Sequence, residues 1–331
     1  MMPAPRFWDN PPARPGPAAR LLAPLSWIWA AQTRRRLAGG EGTRAGVPVI
    51  CVGNLTVGGT GKTPAVIALC ERLRGRGRAP SVISRGHGGS LQDPVRVDPT
   101  RHAAYDVGDE PLLLAAFGPV WIGRDRAATA RAAVADGADV LVMDDGFQNP
   151  ALAKDLSIIV VDARHGFGNG RVMPAGPLRE PVAEGLARAD MTLALGDADA
   201  RARLPVDWPA LSALPMLGGA LEPLRTGMDW GDLRAVAFAG IGRPEKFFAT
   251  LRDLGADVVA AHGFADHAPF DPRVLARLAT EAKAAGAQLV TTEKDSVRLP
   301  PAFLREVLVL PVRLSLDDWA PLDAALVRLG L

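Results

Sequence analysis

The sequence predicts an α/β protein: a mostly parallel sheet flanked by helices, followed by a second, smaller α/β domain. Three observations predict it. Short continuous apolar runs, VPVICVGNL, ADVLVMDD and LSIIVVDA, alternate with helical stretches, the pattern of parallel strands covered on both faces. A glycine-rich stretch ending in Gly61-Lys62-Thr63 stands between the first run and a helical segment. The strand–helix alternation lapses between Ala198 and Thr226, then resumes, and a chain of 331 residues suits two domains better than one.

Taken in order, residues 1–20 are rich in proline and arginine and predict irregular chain. Leu21 to Ala31 is apolar, so residues 1–45 form an N-terminal helical segment. From Val47, VPVICVGNL is a buried strand and Thr63 to Arg74 a helix. PSVIS is a strand, GDEPLLLAAF opens a helix, PVWIG is a strand and DRAATARAAVADG an Ala-rich helix. ADVLVMDD, LSIIVVDA and ADMTLALG complete a core over residues 46–205. The Pro-broken stretch after Ala198 sets a boundary, and residues 206–331 read as the smaller domain. There LRAVAFAG, DVVAAHGF, AQLVTTEKD and VLVLPVRL are strands. PEKFFATLRDLG, PRVLARLATEAKAAG and a terminal segment are helices.

Bulk properties narrow the function. A formal charge of +2 argues against a nucleic-acid binder, which carries a strong basic excess. Cys51 and Cys70 fall in a strand and a helix and read as apolar core residues, not a disulfide or metal site. No apolar run reaches transmembrane length, and Pro24 interrupts the longest. Arg34-Arg35-Arg36 follow that run rather than precede it, which excludes a signal peptide. Trp27, Trp29 and the leucines then either dip into a lipid headgroup zone with the arginines on anionic lipid, or dock on the protein's own core.

VGNLTVGGTGKTP, Val52 to Pro64, carries the chemistry. In the strict phosphate-loop spacing the first glycine would stand at Thr56; here Gly58 and Gly59 lie directly before Thr60. The function survives the shift. The loop has to bring backbone N–H groups around a phosphate, and Gly58, Gly59 and Gly61 keep that backbone open. The following helix aims its N-terminus at the same anion. Thr56, Val57, Gly58, Gly59, Thr60, Gly61, Lys62 and Thr63 are therefore the candidate ATP contacts in a P-loop NTPase-like core. Lys62 reaches the β- and γ-phosphates and the Thr63 hydroxyl serves Mg²⁺. Pro64 suits the first helical turn.

A Mg²⁺ site needs a carboxylate at the end of a neighbouring strand, and ADVLVMDDGFQ ends in Asp144 and Asp145. One would meet the metal or its water, the other would orient its neighbours. A kinase also needs a base. Asp109, in VGDEPLLLA, reads from local sequence as a helix cap, with a carboxylate beside the γ-phosphate as the functional alternative. His267, preceded by Asp266, could orient it if the fold brings them together. In GNGRVMPAGPLREP, Arg171 or Arg179 offers a phosphate clamp. FAGIGRPEKF fails as a dinucleotide fingerprint because Glu245 takes the third glycine position. In VTTEKDSVRL, Thr292, Glu293 and Asp295 read as helix caps.

Together these residues resemble the bacterial tetraacyldisaccharide 4'-kinase family, the lipid A 4'-kinases. The matching stretches run in order: APLSWIW, VGNLTVGGTGKTP, VISRGHGG, VGDEP, MDDGFQ, FGNGRVMPAGPLRE, AGIGRPEKFF, ADH and VTTEKDSVRL. The resemblance implies transfer of the ATP γ-phosphate to the 4'-hydroxyl of a tetraacylated glucosamine disaccharide 1-phosphate. It places the reaction at the cytoplasmic face of an inner membrane, on a peripheral or monotopic protein; no obligate protein partner is evident in the sequence. It also implies Asp109 as base with His267 across a cleft, Lys62 and Thr63 on phosphate and Mg²⁺, and Asp144 and Asp145 as the metal-side pair. Arg124 and Arg179 would contact substrate or phosphate. His87, Asn149 and Ala268 depart from the family's Tyr, His and His. The rival is a membrane-bound ATPase switch of the deviant-loop type, whose signature Lys before the paired glycines is here Val57.

Overall fold

The computed structural model describes residues 5–40 and 42–331; the first four residues of the stretch expected to be irregular lie outside these, as does Glu41. After a 3-10 turn at Arg6–Asp9, helix α1 spans Pro17–Leu37. The core then runs β1 (Val49–Gly53), α2 (Lys62–Gly75), β2 (Pro80–Ser84), a short β3 (Val95–Arg96), α3 (Ala104–Val107), α4 (Asp109–Ala115), β4 (Val120–Ile122) and α5 (Arg126–Ala135). It continues through β5 (Val140–Asp144), β6 (Leu156–Asp162), α6 (Val182–Leu186), β7 (Met191–Leu195), α7 (Ala198–Asp207) and β8 (Met216–Pro223). The second series is β9 (Arg234–Ala239), α8 (Pro244–Asp253), β10 (Asp257–Gly263), α9 (Pro272–Ala285), β11 (Gln288–Thr292), α10 (Glu293–Ser296), α11 (Pro301–Leu304) and β12 (Val307–Leu310). β13 (Val312–Leu316) and α12 (Ala320–Arg328) end the chain.

Among the described residues the large sheet has nine strands in the order β13-β8-β7-β6-β1-β5-β2-β4-β3. β8 through β4 are parallel in that order, and the edge strands β13 and β3 are antiparallel. Its central strands are buried at every residue because both faces are covered. On one face Ile50, Val52, Val142 and Ile158 pack on Val66, Leu69 and Leu73 of α2. On the other, Val49, Cys51, Leu141 and Ile159 pack with Phe147, Phe167 and Leu186. Alternate residues of one strand thus feed two cores, each buried aliphatic stabilising by about 1.5–3 kcal/mol. Cys51 and Cys70 lie free in these layers, and burial pushes both thiols up to about 12, so they are inert at neutral pH.

The smaller sheet is wholly parallel, in the order β10-β9-β11-β12. Phe247, Phe248 and Leu251 of α8 pack with Trp230 in one core cluster, and Leu275, Leu278 and Ala282 of α9 pack with Phe238 and Phe270 in another.

The large sheet takes strands from both sides of the boundary expected at residues 205 and 206. VLVLPVRL, expected as one strand, divides at Pro311: β12 stays in the small sheet and β13 pairs antiparallel with β8 in the large one. Proline has no N–H for a ladder and restricts the residue before it, so the chain leaves one sheet there and joins the other. α12 follows β13 and buries Leu322, Ala325 and Leu326 in the α2 core, where Asp323 pairs with Arg72 and Arg76. The chain therefore crosses between lobes twice, side by side, with Leu224 N–H donating to Pro311 O at 2.9 Å. The stretch read as Pro-broken holds α7 and β8, an element pair whose prolines hide its periodicity.

Candidate active site

The candidate ATP loop follows β1 and opens α2 at the carboxyl end of the parallel strands, where open α/β sheets hold ligands. Gly58 and Gly61 have φ of +105° and +90°, which a side chain resists. A Cβ built on Gly58 or Gly59 would meet nothing within 4 Å, so open space lies over that backbone. At Gly61 a Cβ would come within 2.5 Å of Leu195 Cδ1. The N-terminus of α2 has no side-chain cap, which leaves its first N–H groups available to an anion. Lys62 is buried, with Nζ 3.7 Å from Asp145 Oδ1. Thr63 is half-buried on the first turn.

The loop is braced from two sides. Asn54 is fully buried and donates through Nδ2 to Thr60 Oγ1 at 3.1 Å. The Gly168–Pro181 segment pairs with Thr56, Val57 N–H donates to Pro177 O at 2.8 Å, and Arg179 N–H donates to Leu55 O at 2.7 Å.

Asp144 ends β5 and is 1% exposed. Its Oδ2 accepts weakly from Ser84 Oγ at 3.4 Å, and its Oδ1 is buried with no hydrogen-bond partner. Burial first, then Glu110 and Asp145, hold this carboxyl well above the usual carboxylate range. Asp145, at φ +50°, turns the other way: both its oxygens accept from Arg179, at 2.8 and 3.0 Å. Burial alone would raise Asp145; Lys62 and Arg179 outweigh it and keep it ionised. Arg179 is thus occupied by Asp145, while Arg171 and Arg124 are exposed on their loops, Arg124 with no ion pair among the described residues. Among the described residues no three His, Cys, Asp or Glu side chains form a metal-binding group. Asp144 with its unpaired oxygen nevertheless fits a cation that takes its remaining ligands from phosphate, water and the Thr63 hydroxyl.

Asp109 and His267, 158 residues apart, meet across the two lobes: His267 Nδ1 lies 3.0 and 2.8 Å from the two Asp109 oxygens. Asp109 is 5% exposed and is the first residue of α4; its Oδ1 accepts from the Glu110 N–H, and the helix carries no side-chain cap. Burial would raise its carboxyl, but the His267 hydrogen bond and the Lys294, His267 and Arg298 charges lower it overall. The Asp109 hydrogen bond raises His267 against burial and Lys294. His267 has φ +59°, an uncommon conformation for a non-glycine residue. His87, one of the departures noted in the sequence, sits edge-on to it at 6.3 Å. Asn149 accepts from Ala151 N–H in a turn, and the Ala268 carbonyl accepts from Arg298.

Sequence reasoning missed the charged residues that hold the lobes together. Asp162, at the end of β6, accepts from Lys246 Nζ at 2.6 Å and Arg243 Nη1 at 3.2 Å, both from the start of α8. Beside them Gly242 comes within 3.4 Å, by its Cβ position, of Gly59 N. The signal in the sequence was the basic pair in IGRPEK, but nothing local names its partner.

Helix α1 docks through small and polar residues. Ala19, Ser26 and Thr33 are buried, and Ser26 Oγ donates to Val172 O at 2.7 Å and accepts from Ala175 N–H at 3.1 Å. Leu21, Leu25, Trp27, Ile28 and Trp29 are exposed. Arg34 is tied to Glu184. No helix among the described residues is long and apolar enough to cross a membrane.

The chain is similar to known proteins over nearly its whole length. The sequence model of the family described as Tetraacyldisaccharide-1-P 4'-kinase matches residues 18–329. A Tetraacyldisaccharide 4'-kinase of Dinoroseobacter shibae is 62% identical over 323 residues, 97% of this chain and 96% of that protein. One from Jannaschia sp. is 56% identical over 324 residues, 98% of each. A crystal structure of LpxK from Aquifex aeolicus in complex with ATP superposes with a TM-score of 0.74 at 24% identity, over 94% of this chain and 99% of that one, and so shares the fold.

Proposed function

The chain belongs to the tetraacyldisaccharide-1-P 4'-kinase family, and we propose the roles its residues take in moving the γ-phosphate of ATP to the 4'-hydroxyl of a tetraacylated disaccharide 1-phosphate. It is a kinase of lipid A biosynthesis rather than an ATPase switch. The observation that carries the assignment of roles is the Asp109–His267 hydrogen bond, joined from two lobes, with neighbouring Asp266 and Gly59 of the phosphate loop both against Gly242.

In the proposed step Asp109 accepts the proton of the 4'-hydroxyl, and the freed oxygen forms the new bond to Pγ. The bond from Pγ to the β-phosphate oxygen breaks in line, and ADP leaves. Asp109 is buried yet ionised, as a base at neutral pH must be. Thr56 to Thr63 cradle the phosphates by their N–H groups, and Lys62 neutralises charge on the β- and γ-phosphates. Thr63 and Asp144 would hold Mg²⁺, with Asp145 orienting Lys62 and Arg179 beside it; the cation would supply charge neutralisation on the transferring phosphate. Arg124 would meet the anionic parts of the substrate, and Arg179, held by Asp145, would face them through its remaining N–H donors.

The N-terminal helix supports action at a membrane surface. Its outward face is apolar and its docked face polar, the reverse of a helix that serves the core. With Arg34, Arg35 and Arg36 in its last turn, α1 would lie in the headgroup zone of the inner membrane's cytoplasmic face, where an acylated substrate resides. The smaller lobe would close over the cleft with substrate bound.

The deciding experiment is ATP-dependent phosphate transfer to a tetraacyl disaccharide 1-phosphate in detergent micelles. The wild type transfers and Lys62→Ala does not. ATP hydrolysis without transfer to a verified substrate refutes the reading.

A further inference from the structure

Helix α1 meets the rest of the protein along one narrow line. Its buried residues, Ala19, Ser26 and Thr33, recur at a spacing close to two helical turns. Ser26 carries the polar contact on that line, donating to the Val172 carbonyl at 2.7 Å and accepting the Ala175 N–H at 3.1 Å. Val172 and Ala175 belong to the Gly168–Pro181 segment, whose other side braces the phosphate loop. Val172 pairs with Leu178, and Leu178 pairs with Thr56. Pro177 takes the Val57 N–H at 2.8 Å. Arg179 gives its N–H to Leu55 O at 2.7 Å and its guanidinium to Asp145. Ala175 and Leu178 are fully buried, so the segment is packed tightly between its two neighbours.

A second tie comes from the chain that leads into α1. Asn169 is buried; its N–H donates to Trp8 O at 2.7 Å and its Nδ2 to Phe7 O at 3.1 Å. Trp8 Nε1 donates in turn to Pro174 O at 3.1 Å. The N-terminal segment and the phosphate loop thus share one support.

A seam of small residues gives α1 little packing to hold it, which puts its seat at the low-stability end of the fold. The seat also fixes which way the helix faces, with Trp27, Ile28 and the leucines outward. Lipid takes that outward strip and so favours the seated helix. ATP orders the phosphate loop and so favours the braced segment on which the helix sits.

We propose that Ser26 is a positioning residue that couples α1 to the phosphate loop through the Gly168–Pro181 segment, so that seating α1 in an anionic lipid surface and binding ATP each strengthen the other. The inference rests on the reading above that α1 meets lipid. The protein then holds ATP best where an acylated acceptor is at hand. Linkage fixes the form of the effect: vesicles raise ATP affinity by the same factor by which ATP raises vesicle affinity.

The test uses the full chain. ATP affinity is measured by calorimetry with and without vesicles of phosphatidylglycerol and phosphatidylethanolamine, and vesicle affinity by sedimentation with and without ATP. The wild type shows the same gain in both, at least about fivefold. Ser26→Ala keeps every residue of the outward strip, so it still binds vesicles and still binds ATP, but the gain disappears. A loss of stability alone would leave the ratio of affinities in place. Hydrogen exchange of the wild type reads the route without any variant: vesicles alone slow exchange at the Val57 N–H, which the Pro177 carbonyl holds. Vesicles that bind the wild type yet leave either its ATP affinity or its Val57 exchange unchanged overturn the inference, as does a Ser26→Ala variant that keeps the full gain. A wild type that does not bind vesicles overturns the lipid reading of α1 and the inference with it.

Discussion

Trp27→Ala tests whether the outward face of α1 meets lipid. Trp27 is 71% exposed and touches no core cluster. An indole side chain carries up to about 250 Å² of surface, so truncation to Ala takes away roughly 150 Å² of exposed apolar area once the retained Cβ is allowed for. At about 25 cal/mol per Å², full immersion of that area is worth about 4 kcal/mol, and immersion to half depth about 2 kcal/mol. Two such units of free energy lower the partition constant roughly thirty-fold. The assay is sedimentation with anionic vesicles at fixed ionic strength. Because an exposed side chain contributes within about 0.5 kcal/mol to folding, the melting temperature is expected to stay put. Vesicle binding within about twofold of wild type, in a variant of unchanged stability, would refute the reasoning, since the same area then meets water in both states.

Two further outcomes follow from the loop and from the contact between lobes. Gly61→Ala meets a φ of +90° and a Cβ contact of 2.5 Å with Leu195. It is expected to cost about 1–2 kcal/mol in loop strain and to weaken ATP binding by calorimetry; unchanged affinity would show that the loop backbone rearranges on binding. Asp162→Asn removes the carboxylate shared by Lys246 and Arg243. Burial would raise Asp162, but His165, Lys246 and Arg243 lower it below its ordinary 3.8. A depressed carboxyl contributes its stability fully above that ordinary value and loses it as pH falls through the folded one. Its partners are about 37% and 52% exposed, so the contribution is about 1 kcal/mol. Wild type and Asp162→Asn should therefore differ in urea midpoint at pH 7 and converge at strongly acidic pH; a gap that persists in acid would show that charge is not its source.

What could be read in the sequence follows from how local the deciding physics is. β1, β5, β6 and β7 are buried on both faces, so their apolar runs stand out without knowledge of neighbours. β8 does not, because it is a half-exposed strand carrying Gly218 and Gly219 and ending at Pro223. At Gly218 a Cβ would strike Asp317, and at Gly219 the Ser315 carbonyl, so those glycines answer to a strand some hundred residues on. The sheet change at Pro311 is legible as a break but not as a transfer, since the sequence does not say which sheet each half joins. Asp109 was ambiguous for a related reason: a carboxylate before Glu110-Pro111 satisfies the statistics of a helix start whether or not a histidine 158 residues later meets it. Lys294 and Arg298 were hidden by the real cap at Thr292, which accounts locally for the charged cluster around it.

The division of the Asp109–His267 pair between lobes has a mechanical consequence. Asp109 rides on α4 of the large sheet, while His267 and Lys294 ride on the small one, and the chain joins the lobes through two adjacent crossings at Leu224 and Pro311. Any motion that parts the lobes also parts the Asp109 carboxylate from His267 and withdraws Lys294 from Glu110. Asp109 would then lose its His267 partner, and water would reach the cleft. Two of the three non-glycine residues with positive φ among the described residues, Asp145 and His267, lie in this site. Such conformations persist only where surrounding contacts over-determine them. Arg179 does so for Asp145, and Asp109 with Lys294 does so for His267. Of these two contacts on His267 only the one to Asp109 spans the lobes, and it ties the geometry of the proposed base to a closed cleft.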